Sequence, residues 1–190
     1  RREIAVLFAD IRNFTKMSTH MEPEQLVQVL NSYFSVMTRV IHGHGGTIDK
    51  FVGDGILAIF GAPLPMENAA LRAVRTALAM QDELKATNAD RAKTGLAPIE
   101  TGICVTFGTA VVGNIGSEAR VSYTAIGEPV NLASRLEGLN KRFGTRIIAS
   151  AKVRAMTADS VETRPMGEHK IRGWDEPVEV FEVLGIKNSR

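Results

Sequence analysis

The stretch Thr47–Gly61, TIDKFVGDGILAIFG, constrains the fold of this chain more than any other. Two apolar, β-branched runs, Thr47–Phe51 and Ile56–Phe60, flank Gly53-Asp54-Gly55. Glycine supplies the positive φ of a tight turn and aspartate tolerates turn geometry, so the stretch reads as a β-hairpin with Asp54 at its tip. Both strands are apolar enough to be buried, which would hold a carboxylate rigidly at the lip of a sheet. Lys50 lies on the incoming strand, at ~3.3 Å per residue about 13 Å from Asp54 and too far for an ion pair along a straight strand. Taken alone, Asp54 reads as a turn residue and Lys50 as an edge-strand charge.

Ile4–Ala9 (IAVLFA) is a continuous apolar run, the pattern of a strand buried on both faces. It ends at Asp10, and Ile11-Arg12-Asn13-Phe14-Thr15 follow, with Ser18 and Thr19 as helix-starting residues. A strand that ends in a carboxylate and turns into a helix start offers free N–H groups to phosphate and an oxygen ligand to a cation. If this strand neighbours the hairpin, Asp10 and Asp54 project from one edge of the sheet. Two carboxylates fixed close together repel unless they share cations. Hard oxygen donors imply Mg²⁺ or Mn²⁺, and a pair of such ions is the usual clamp for in-line displacement at phosphorus. If the strands are not adjacent, both aspartates keep ordinary turn roles.

The rest of the chain alternates between helical and strand patterns. Leu26, Leu30, Phe34, Met37 and Ile41 predict a helix over Pro23–His42, with His42 and His44 beside a glycine C-cap rather than in a metal tract. Ala73, Ala77, Met80 and Leu84 predict a second helix from Glu67 to about Asp90, close-packed on a sheet. Ile99–Phe107 and Thr109–Ile115 are expected as two strands of a hairpin around Gly108, and Val121–Thr124 as a short strand. Pro129 suits a first helical turn. Leu132, Leu136, Leu139 and Phe143 form the inward stripe of that helix, Asn131 and Arg135 share a different face, and Gly144 closes it. Arg146–Ala149 reads as a strand, Ser150–Met156 as a helix and Val161–Val183 as two strands. Met17, Met21, Met37 and Met80 read as core filler. This order argues for an α+β fold, a mostly antiparallel sheet covered by helices.

Composition narrows the function classes. The 190 residues suit one domain over 1–190, with 44% hydrophobic and 23% charged residues, as in globular proteins. A net charge of +2 gives no broad field toward nucleic acid or membrane. The single cysteine, Cys104, excludes an internal disulfide. No stretch approaches the ~20 apolar residues of a membrane helix, and there is no signal-peptide pattern. The chain starts at Arg1 without Met and is expected to be a catalytic domain excised from a larger protein, working in the cytoplasm.

Four stretches, IAVLFADIRNFT, TIDKFVGDGILAIFG, GNIGSEARVSYTAIGEPVNLASRLE and KIRGWDEPVEVFEV, resemble the class III nucleotidyl cyclase catalytic domain in order and spacing over nearly the whole chain. The resemblance implies a ferredoxin-like or palm-like sheet flanked by helices, with an additional C-terminal β-α-β-β subdomain. It implies that Asp10, Asp54 and the Ile11 carbonyl hold two Mg²⁺ or Mn²⁺ ions, and that Asn13, Phe14 and Thr15 cradle phosphates. Lys50 and Thr124 match the purine-reading positions. Asn131 and Arg135 match the N-x-x-x-R pair that orients the ribose and stabilises the transition state. Arg172 matches a terminal-phosphate contact, with Lys170 two residues away, and Arg120 is a further phosphate candidate. The implied reaction turns ATP into 3′,5′-cyclic AMP and pyrophosphate. The implied assembly is a head-to-tail homodimer, with the metal aspartates from one chain and Lys50, Thr124, Asn131, Arg135 and Arg172 from the other. Thr124 stands where many adenylate-specific members carry aspartate, and its subgroup implies activation by bicarbonate.

Lys50 only donates hydrogen bonds, which fits adenine N1, an acceptor, and leaves guanine N1–H facing another donor. Three rival readings remain: a silent cyclase-like binding or dimerisation module, a guanylate cyclase, and a diguanylate cyclase. The last has a Gly-Gly-(Asp/Glu)-Glu-Phe hairpin, whereas this one reads Val-Gly-Asp-Gly-Ile.

Overall fold

The computed structural model describes residues 1–188. Its centre is β1 (Arg2–Ile11), paired antiparallel with β3 (Gly55–Phe60) on one side and with β4 (Thr101–Ser117) on the other. β2 (Thr47–Val52) and β3 form the predicted hairpin, with Gly53 at φ 59° in its turn. The sheet runs β2-β3-β1-β4, then β6 (Ile147–Ser150), β8 (Val178–Ile186) and β7 (Val161–His169), and β5 (Arg120–Ile126) pairs with the far half of β4. Every pairing is antiparallel except β4 with β6 (Ile147–Ser150). β6, α6 (Ala151–Thr157), β7 (Val161–His169) and β8 (Val178–Ile186) are the predicted C-terminal unit, and they extend the same sheet.

Side chains alternate across a strand, so β1 serves two cores. Ala5, Leu7, Ala9 and Ile11 face α2 (Pro23–Gly43), α3 (Ala69–Lys93) and α6, whereas Ile4 and Val6 lie in the cluster that holds Ala133 of α4 (Glu128–Glu137). Ile4, Val6 and Leu7 have no exposed surface, and each contributes ~1.5–3 kcal/mol by leaving water. The alanines of α3, Ala69, Ala70, Ala73 and Ala77, are all buried and let its backbone approach the sheet closely.

Four expectations need correction. Gly108 does not turn the chain: Thr101–Ser117 is one strand, and Gly108 sits in register opposite Ile4. A Cβ there would lie 3.4 Å from Pro129, an ordinary contact, so this glycine neither bends the chain nor is demanded by its neighbour. The hairpin strands are not equally buried, because β3 is buried throughout whereas Lys50, Phe51 and Val52 at the end of β2 are exposed. Ser18 and Thr19 end a helix instead of starting one; α1 (Phe14–Thr19) begins directly after Asn13, which adopts φ 55°. The helix after Pro129 breaks at Gly138 into α4 and α5 (Leu139–Phe143), and Gly144 at φ 67° closes the second piece as expected.

Candidate active site

The β1–β3 pairing brings the ends of these strands together, and the hairpin tip folds back onto β1. The Ile11 N–H donates to Asp54 Oδ2 at 2.9 Å. Asp10 and Asp54 therefore share one cleft of about 560 Å³, whose walls include Ile11, Asn13, Phe14 and Thr15. Sequence reading placed all six of these residues together, and the structure does the same.

The later helices add side chains to this cleft that were not foreseen. Glu137, at the end of α4, and Lys141, on α5, also line it. Glu137 is buried and, protonated, donates to Asp10. Burial and the neighbouring Asp10 push its carboxyl up to about 9. Asp10 itself is raised by burial and by the charge of Asp54, while the Glu137 hydrogen bond and the Arg12 guanidinium pull it down. Opposite Asp10 in the β4 register stands Gly102, where a Cβ would collide with Glu137 Oε1. The glycine thus makes room for the buried acid. A signal was present in the sequence: Ala133, Leu136, Glu137 and Asn140 follow helical spacing, and all four are buried.

Three carboxyl groups, Asp10, Asp54 and Glu137, line this cleft, and the repulsion between the Asp10 and Asp54 charges is what a divalent cation relieves. Two carboxylates on adjacent strand ends, with the Ile11 backbone between them, are hard oxygen donors of the kind Mg²⁺ and Mn²⁺ take. The donor set fits Mg²⁺ or Mn²⁺.

Glu137 makes a testable contribution to stability. Its folded value of about 9 lies above the ordinary 4.5, so between these limits the folded state holds a proton that the unfolded state has released. Stability of the metal-free protein is therefore full below about pH 4.5 on this account and falls as pH rises toward 9. Thermal melts across that window in chelator should show a decline that Glu137→Gln flattens. Parallel slopes for the two proteins would reject the assignment.

The other predicted residues gather elsewhere. Asn131 and Arg135, both exposed on α4, line a second cleft with Glu128, Arg172 and Trp174. Arg172, not Lys170, faces it. Lys50 and Thr124 meet a third residue that sequence reading missed, Asp49. The Asp49 carboxylate accepts from the Thr124 hydroxyl at 2.8 Å and from the Ala125 N–H at 2.9 Å. Lys50 Nζ lies 3.6 Å from Asp49 Oδ1. Arg120 sits exposed at the start of β5 and lines neither cleft. Cys104 is fully buried, which pushes its thiol up and leaves it inert.

Solved structures with this architecture include the adenylyl cyclase CyaB from P. aeruginosa, 34% identical with a TM-score of 0.89, covering 99% of this chain and 95% of that one. The guanylyl cyclase Cya2 is 41% identical with a TM-score of 0.90, covering 98% and 93%. The fold is thus of the nucleotidyl cyclase class. Among curated proteins, Adenylate cyclase 1 of Rhizobium meliloti (strain 1021) is 40% identical over 186 residues, and an adenylate cyclase of Anabaena cylindrica is 38% identical over 189. The alignments cover 98% and 96% of this chain but 28% and 37% of those proteins. A family model described as the adenylate and guanylate cyclase catalytic domain matches residues 1–185. The chain belongs to that family.

Proposed function

We propose that residues 1–190 form one catalytic domain, an adenylate cyclase that converts ATP into 3′,5′-cyclic AMP and pyrophosphate. The observation that carries this reading is the bond from Ile11 N–H to Asp54, which seats both aspartates at one mouth. Asp10, Asp54 and the Ile11 carbonyl would hold two Mg²⁺ or Mn²⁺ ions. When bound, these ions lower the pKa of the ribose 3′-hydroxyl and offset charge on the phosphates. Asn13, Phe14 and Thr15 flank the phosphate path. Asn131 orients the sugar so that its 3′-oxygen lines up with the α-phosphorus and the leaving pyrophosphate. Arg135 places a forked pair of donors on the equatorial oxygens as charge builds there. Arg172 neutralises the terminal phosphates.

The site is assembled from two copies. The aspartate cleft and the Asn131–Arg135–Arg172 cleft are separate within one chain, and neither is a complete set. A two-fold homodimer that apposes them has two equivalent sites. Val111 and Val121 on the β4–β5 arm and Val52 at the hairpin are at least half exposed, as an apolar contact face requires.

Lys50 and Thr124 favour adenine. The likeness to Cya2 favours a second reading, a guanylate cyclase. Purified protein incubated with ATP or GTP in Mg²⁺ and in Mn²⁺, with the cyclic product identified, decides between them. Nucleotide binding without turnover in either metal would leave a silent cyclase-like module. Bicarbonate activation is the further expectation for a Thr124-type site, read as higher cyclic AMP output at constant pH. Among the described residues no helix is long and apolar enough to cross a membrane.

A further inference from the structure

We propose that Asp49 determines which purine Thr124 can read. The proposal rests on the assignment of Lys50 and Thr124 to the base. The β2–β3 register shifts between Ile48 and Lys50, so Asp49 occupies a bulge and has no cross-strand partner. A bulge re-aims a side chain. Here it sends the Asp49 carboxylate, which has no exposed surface, under β5. Both oxygens lie within reach of Thr124 Oγ1, at 2.8 and 2.9 Å, and Oδ2 also accepts from the Ala125 N–H at 2.9 Å.

A free threonine hydroxyl has one proton and two lone pairs, so it suits either base. A carboxylate only accepts, so a hydroxyl bonded to it must spend its proton there. Only lone pairs then face a ligand. Adenine presents N–H at its 6-position and satisfies them. Guanine presents the lone pairs of O6 and does not. Asp49 thereby turns an ambiguous hydroxyl into an acceptor, the role a carboxylate at position 124 would fill directly. It is a positioning residue that acts through Thr124. Lys50, 3.6 Å from the same carboxylate, is held beside it as the donor for adenine N1.

Asp49→Asn tests this. The amide keeps an acceptor for Ala125 N–H while its NH₂ donates to Thr124, which frees the hydroxyl proton for guanine O6. The ratio of kcat/KM for ATP to that for GTP should fall about tenfold, chiefly through KM. Asp49→Ala, which offers no acceptor at all, should move the ratio in the same direction, so the idea stays testable if one variant folds poorly. In a Thr124→Val background Asp49→Asn should leave the ratio unchanged. A purely structural role would lower both nucleotides alike. An ATP-preferring wild type whose ratio is unmoved in Asp49→Asn and Asp49→Ala overturns the Asp49 proposal alone. A wild type that prefers GTP overturns the base assignment beneath it.

Discussion

Asp54→Ala and Asn131→Ala proteins, each inactive alone, should regain cyclase activity when mixed. Asp54 belongs to the aspartate cleft and Asn131 to the cleft on α4. In a two-fold dimer each site takes one cleft from each chain. A homodimer of either variant has two broken sites. A heterodimer concentrates both defects in one site and leaves the other whole. Random exchange makes half the dimers mixed, each with one of two sites intact, so about a quarter of wild-type activity returns. Both changes leave the core alone, since Asn131 is exposed and Asp54 only half-buried. Failure to complement, with both proteins folded and exchanging subunits, would rule out shared sites.

Arg135→Ala should lower kcat by about 10²–10³ with little change in KM, because in the proposed role its donors meet charge that exists only in the transition state. Arg135→Lys keeps the charge without the fork and should recover only part of the rate. Arg135 is exposed on α4, and its removal should not shift the melting temperature. A large rise in KM with kcat intact would instead make it a ground-state phosphate contact, and a drop in melting temperature would make it structural.

The parts of this site that follow from local chemistry could be read in the sequence. A buried strand ending in Asp10 and a Gly-Asp-Gly turn each announce a carboxylate at a sheet edge, and strand pairing had only to bring them together. Asn131 and Arg135 share a helix face through simple spacing. What escaped depends on register and on the third dimension. Asp49 looks like one more strand residue until the slip beside Ile48 turns it toward β5. Glu137 follows Leu136 on a helix whose buried face was assigned to leucines, and only the space above Gly102 accommodates it. Gly108 carried the opposite lesson: glycine commonly marks a turn, but here it lies within a continuous strand opposite Ile4.

The short strand β5 answers to two demands at once. It carries Thr124, and within the same seven residues it displays Val121, Tyr123 and Ile126 to solvent. In a solitary copy it is moored along β4 and at Asp49. On the proposed assignments, base reading and the contact between copies share one ribbon of backbone. A polar substitution at Val121 would therefore strike the proposed contact face while leaving the Thr124–Asp49 pair in place.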